Sequence, residues 1–92
     1  MPNTKSAKKR HRQSLARRQR NRSAKATIRT EIRKFLDAVR AGTVDAATSQ
    51  YRSVVRKMDQ AAAANILHPN RVARRKSRLN KVLKGLAQRT AS

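Results

Sequence analysis

The sequence predicts an all-α fold: an antiparallel up-down-up three-helix bundle with an extended N-terminal helix. Three observations predict it. Larger apolar side chains recur at helical spacing in three separate segments. Glycine and proline are scarce, two of each, and all but the terminal Pro2 fall at or near the ends of those segments. Nowhere do β-branched and aromatic residues alternate with polar ones as the strands of a sandwich would require. At 92 residues the chain is one domain at most, and its 15 alanines leave 19 larger apolar side chains for a modest core.

The first segment carries Ile28, Ile32, Phe35, Leu36 and Val39, spaced i, i+4, i+7, i+8, i+11, which is one face of a helix. Ala24 extends that face by a turn, and there it stops. Residues 5–23 are mainly Lys, Arg, Gln and Ala, good helix formers with no stripe to bury. Nothing breaks a helix between Lys5 and Ala41, so one rod of about 50 Å is expected. Gly42 suits the left-handed residue that ends it.

The second segment starts after Gly42, with Thr43 as N-cap and Asp45 near the positive helix end. Val44, Ala47, Tyr51, Val54, Val55, Met58 and Ala61 or Ala62 trace its buried stripe. Asn65 is the left-handed stop, and Ile66 and Leu67 close the bundle end as apolar loop residues. The third runs from about Pro69, a favoured first-turn residue, to Leu86, with His68 extended before it. At about 100° per residue, Val72, Leu79, Leu83 and Leu86 fall within an arc of about 60°. Arg71, Arg74, Arg78 and Lys81 cluster on the far side, and Val82 lies at the margin. Short connections favour antiparallel neighbours, so the chain divides into a basic N-terminal extension (1–23), the bundle (24–88) and a short tail (89–92).

Charge decides the function class. Lys and Arg occupy 25 positions against four acids, a formal charge of +21, and Glu31, Asp37, Asp45 and Asp59 all lie in the middle of the chain. So much unpaired positive charge repels itself unless an anionic surface neutralises it. Like charges at i, i+4 recur as Lys8–Arg12, Arg18–Arg22, Lys25–Arg29, Arg71–Arg75 and Arg74–Arg78, none with an acid three or four positions away. An ordinary solvated face mixes signs, because such pairs are unfavourable. Dense phosphate is the partner that compensates them. The candidate phosphate-binding residues on the first helix are Lys5, Lys8, Lys9, Arg10, Arg12, Arg17, Arg18, Arg20, Asn21, Arg22, Lys25 and Arg29. On the third helix they are Arg71, Arg74, Arg75, Lys76, Arg78 and Lys81.

Other chemistries fare badly. Without Cys there is no disulfide or thiolate metal site. Four carboxylates with no inward-facing pair are poor material for acid–base catalysis, so no enzyme is expected. His11 and His68 have no second ligand at metal spacing and read as a polar surface residue and a loop or cap residue. No phosphate-cradling glycine loop exists, and neither cofactor, metal nor small-molecule substrate is expected. Asn21–Arg22–Ser23 matches a glycosylation acceptor, but no secretion signal precedes it, and a cytoplasmic location is expected. A transit peptide or membrane-surface helix needs an apolar face, and Leu15 is the only large apolar side chain between residues 2 and 23. Glu31 can pair with Lys34, and Asp37 with Arg33 or Arg40, for a few tenths of a kcal/mol each. Phe35 and Tyr51 fall on core stripes, so base stacking is a minor mode. A basic-zipper DNA reader is the nearest alternative, yet Gly42 ends the apolar stripe after about two heptads. From the residues alone the chain is a backbone-reading phosphate binder, and an architectural DNA-binding protein remains the alternative to an RNA binder.

Several runs resemble a known family. Asn3–Thr4–Lys5–Ser6–Ala7–Lys8–Lys9–Arg10 and Arg20–Asn21–Arg22–Ser23–Ala24–Lys25 resemble the N-terminal helix of the family of bacterial small-subunit ribosomal protein twenty. So do Arg29–Thr30–Glu31–Ile32–Arg33–Lys34–Phe35 and the run His68–Pro69–Asn70–Arg71–Val72–Ala73–Arg74–Arg75–Lys76–Ser77–Arg78–Leu79–Asn80. Order and spacing match over nearly the whole chain. The resemblance implies a three-helix bundle that binds 16S ribosomal RNA directly, early in small-subunit assembly. Its first helix would insert among RNA helices of the 5′ domain, and the protein would approach the long penultimate helix. Carried over, Lys8, Lys9, Arg10, Arg17, Arg18, Arg22 and Lys25 would be RNA contacts, with Arg74, Arg75, Lys76 and Arg78 on the third helix. Asn65 stands where the family commonly has Gly, and Pro69 replaces a typical basic residue. No homo-oligomer is expected.

Overall fold

A computed structural model describes residues 4–91. Residues 1–3 of the expected extension and residue 92 of the expected tail lie outside it. The described residues form three helices: α1 (Thr4–Ala41), α2 (Val44–Ala63) and α3 (Pro69–Ala91). Along α1, Ile28 shares a cleft with Ala61, Glu31 bonds Ser53, and Phe35 meets the Tyr51 ring at 5.9 Å. Partners fall in number as α1 advances, so α1 and α2 are antiparallel. Against α3 they rise: Ile28 borders Arg71, and Ile32 borders Leu79. The first and third helices therefore run parallel, in the expected up-down-up order, and α2 packs against both while α1 and α3 meet only lightly.

The core is the one that the spacing predicts, with Val55 as the exception. Ile28, Phe35, Ala47, Val54, Met58, Ala61, Val72 and Leu86 are buried. Ile32, Leu36, Val39, Val44, Tyr51, Leu79 and Leu83 are partly buried against them, as are Ile66 and Leu67 from the loop. Val55 is half-buried but stands aside from this cluster, in a groove beside Tyr51. Val82 and Leu15 are exposed, as marginal and stripe-less positions should be.

Both helix stops use a left-handed residue. Gly42 has φ 77° and Asn65 φ 60°. At the first stop Thr43 N–H donates to Ala38 O (3.3 Å) and Gly42 N–H to Val39 O (3.0 Å). At the second Ile66 N–H donates to Ala61 O (2.8 Å) and Asn65 N–H to Ala62 O (3.1 Å). This crossed pair satisfies carbonyls that a helix end leaves open. His68 caps α3, its Nδ1 accepting the Asn70 N–H at 3.1 Å.

Two local expectations change. Thr43 occupies the N-cap with extended backbone, but its side chain makes no capping bond; its carbonyl accepts from Ala47 N–H at 2.9 Å. The third helix runs through Gly85 to Ala91, not to Leu86. Gly85 keeps a negative φ, Leu86 is buried, and the residues beyond it are mostly good helix formers.

The molecule is long and flat, with extents of 71 × 22 × 13 Å. Its radius of gyration is 18.3 Å, where a compact chain of this length has about 12 Å. The excess comes from the N-terminal half of α1, which leaves the bundle as a free rod.

Candidate nucleic-acid interface

The candidate interface lies on α1 and α3. From Lys5 to Arg20 every residue of the rod is exposed, so Lys5, Lys8, Lys9, Arg10, Arg12, Arg17, Arg18 and Arg20 all face solvent. Arg22, Lys25 and Arg29 are exposed as well, as are Arg71, Arg74, Arg75, Arg78 and Lys81 on α3. Backbone hydrogen bonds hold these cations in a fixed series, 1.5 Å apart per residue along the axis. Their own repulsion is offset by helix propensity and, within the bundle, by core packing.

Two predicted residues are placed differently. Asn21 lies one helical repeat before Ile28, on the extension of the apolar stripe, and is half-buried. Its Oδ1 is enclosed without a hydrogen-bond partner. Lys76 flanks the α3 stripe on the side facing α2, where its Nζ sits 2.6 Å from Asp59 Oδ1. That carboxylate already answers its charge. The Tyr51 hydroxyl donates to the Lys76 carbonyl at 3.4 Å, so α2 holds this part of α3 twice.

Two more acids, Glu31 and Asp37, are also occupied away from the cationic surface. Glu31 accepts hydrogen bonds from Gln50 and from Ser53 Oγ (3.0 Å) on α2, with Lys34 at 3.9 Å. Those two hydrogen bonds lead in holding its carboxyl below the ordinary value, aided by Lys34 and Lys57 and opposed by partial burial. Asp37 pairs with Arg40 at 3.8 Å, both ends exposed.

The fold also unites basic residues that are 42 or more positions apart in the chain. Lys25 and Arg29 from α1 and Arg71 and Arg75 from α3 line one cleft, floored by Ile28 and Leu67. A second cleft adjoins it through Arg75, with Arg78, Ile32 and Leu79. Helical periodicity shows that Lys25 and Arg29 border one edge of the α1 stripe and Glu31 the other. It does not show which edge meets α3. The sequence thus marks these residues as cationic without marking them as neighbours.

Among the described residues, no group of three or more His, Cys, Asp or Glu side chains could hold a metal ion, and no helix is long and apolar enough to cross a membrane. The arrangement offers rigidly spaced cations, suited to phosphate oxygens that accept charge-assisted hydrogen bonds.

The sequence profile of the family described as ribosomal protein S20 matches residues 2–84. A small ribosomal subunit protein bS20 of Rhodopirellula baltica is 43% identical over 88 residues, covering 96% of this chain and 98% of that protein. The bS20 of Psychrobacter cryohalolentis is 46% identical over 86 residues, with coverage of 94% and 98%. That of Salinispora tropica is 46% identical over 81 residues, with coverage of 88% and 92%.

Proposed function

The chain belongs to the ribosomal protein S20 family, and we propose that in the cytoplasmic small ribosomal subunit it binds 16S ribosomal RNA directly and staples separate RNA helices together. This is a structural role, in a family of ribosomal proteins rather than enzymes. One observation carries the reading. An exposed rod with no apolar face continues into a bundle surface whose cations have no acid beside them. Arg side chains can bridge phosphate oxygens bidentately, and Lys supplies point charges. The basic extension (residues 1–23) reaches between RNA helices of the 5′ domain while the bundle stays outside. The approach to the penultimate helix then falls to the outer face of α3, through Arg74 and Lys81.

The test titrates the full chain into a transcript of the 16S 5′ domain at increasing salt. With ~10 phosphate contacts, log affinity falls with log salt at a slope of about −7 to −9. Duplex DNA of similar length competes poorly. Equal affinity for the two would favour an architectural DNA-binding protein, and a slope near zero would remove the electrostatic mechanism.

A further inference from the structure

We infer that the seam between α1 and α3 is a preformed clamp for one strand of RNA sugar-phosphate backbone, running along the helices and continuing onto the rod. The inference rests on the RNA-binding reading above and assigns it a specific track.

Four observations converge. First, Lys25 and Arg29 stand on one wall of the seam and Arg71 and Arg75 on the other, with Arg78 carrying the second wall onward. Opposed cations on two walls grip an anion lying between them, whereas cations on a single convex face only rest on it. Second, no carboxylate lines the seam. Glu31 is turned to Gln50 and Ser53, Asp59 is held by Lys76, and Asp37 by Arg40. Repulsion across the seam is therefore left for an external anion to relieve.

Third, the floor is apolar. Ile28 and Leu67 lie under the first four cations, and Ile32 and Leu79 under the next part. Phosphates on the rims with riboses over an apolar floor match the alternation of a nucleic-acid strand. An acidic peptide, with its polar amides at the floor, fits less well. The clefts measure about 140 and 240 Å³, a scale that suits a sugar-phosphate segment of one strand. Fourth, the row continues outward. Arg18, Arg22, Lys25 and Arg29 follow at i, i+4, i+7 and i+11, along one line of α1 that leads from the rod into the seam. Four residues along a helix is about 6 Å, the order of the distance between successive phosphates on one strand.

Because Ile28, Val72 and the other core residues fix the spacing of the two helices, the clamp exists before RNA arrives. The rod has no such support. Binding therefore begins in the seam and then orders the rod along the same strand.

The test uses the full chain and a 16S 5′-domain transcript with three paired variants. Arg29→Gln with Arg75→Gln empties one cation from each wall. Arg18→Gln with Arg22→Gln removes two cations of the same row on the rod and should reduce the salt slope by a similar amount. Arg52→Gln with Arg56→Gln, on the exposed face of α2, is the control. The wall pair should weaken binding at least tenfold and reduce the salt slope by about 1.5–2. The single wall variants should be coupled, their effects failing to add, because they face one strand. The wall pair should melt no lower than wild type, since it removes repulsion, so weaker binding cannot come from unfolding. The control pair should bind within about twofold of wild type. Wild-type binding with an unaffected wall pair would overturn the clamp and leave the RNA-binding reading intact. Absence of wild-type binding would overturn both. Poly-glutamate displacing the transcript from wild type, but not from the wall pair, would assign the seam to an acidic peptide and overturn the RNA assignment.

Discussion

At Glu31 a carboxylate of α1 accepts hydrogen bonds from Gln50 and Ser53 of α2, and this side chain ties the two helices in register. Its spacing from Lys34 suggested a weak surface pair, and that pair is long, at 3.9 Å. The contacts to Gln50 and Ser53 depend on how α2 folds back, which spacing along one helix cannot reveal. They hold the Glu31 carboxyl below its unfolded value. A lowered acid contributes stability above the ordinary carboxylate pKa of about 4.3 and loses it as pH falls through the folded value. Glu31→Gln should thus cost about 1 kcal/mol at neutral pH. Urea midpoints for the two proteins should converge only as pH falls through that lowered value; a gap that persists in stronger acid would assign the loss to packing instead. Lys76 teaches a similar lesson. Asp59 answers its charge, so Lys76→Gln should leave the salt slope of RNA binding unchanged, whereas Arg78→Gln should reduce it by about 1. Equal slope losses would mean that Lys76 exchanges Asp59 for phosphate on binding.

At the scale of elements, the stops of α1 and α2 were the most legible features, since their signals are local. Gly42 and Asn65 both adopt the left-handed conformation expected of them. A residue with a β-carbon strains there, and Asn is tolerated better than Ala. Asn65→Ala should therefore lower stability by about 1 kcal/mol, and Asn65→Gly should hold or raise it. Thermal melts of the two variants check this, and a stable Asn65→Ala would show that the crossed bonds at Ala61 and Ala62 do not need φ near 60°. The third helix was read short because Gly85 resembled a stop. A glycine ends a helix only where the chain must turn, and here Leu86 draws the next turn into the core. The apolar stripes were legible for the same local reason, down to Phe35 and Tyr51, whose rings meet in the interior.

For the whole molecule, the division of labour lies between a bundle with a core and a rod without one. The rod adds length but buries nothing, and its row of like charges opposes helix formation in free solution. Residues 5–20 should therefore exchange their amide hydrogens rapidly in the isolated chain and become protected on the 16S 5′-domain transcript. Hydrogen exchange read by mass spectrometry checks this; strong protection without RNA would show a rod that stands alone. Removal of Phe35, fully buried between α1 and α2, should have the opposite reach: Phe35→Ala costs about 3–5 kcal/mol, enough to unfold so small a bundle, and circular dichroism would show the loss.

By itself the sequence determined the three helices, the stops of the first two, nearly all of the core and the identity of every cation, because each follows from periodicity or composition within one segment. Only the tertiary structure decided which cations share a surface and which are already matched: Lys25 and Arg29 across the seam from Arg71 and Arg75, Lys76 held by Asp59, Asn21 drawn inward. The reason is physical. Helical spacing fixes the angle of a side chain about its own axis, but the rotation of one helix against another is set by how their cores interlock, and that rotation chooses every partner.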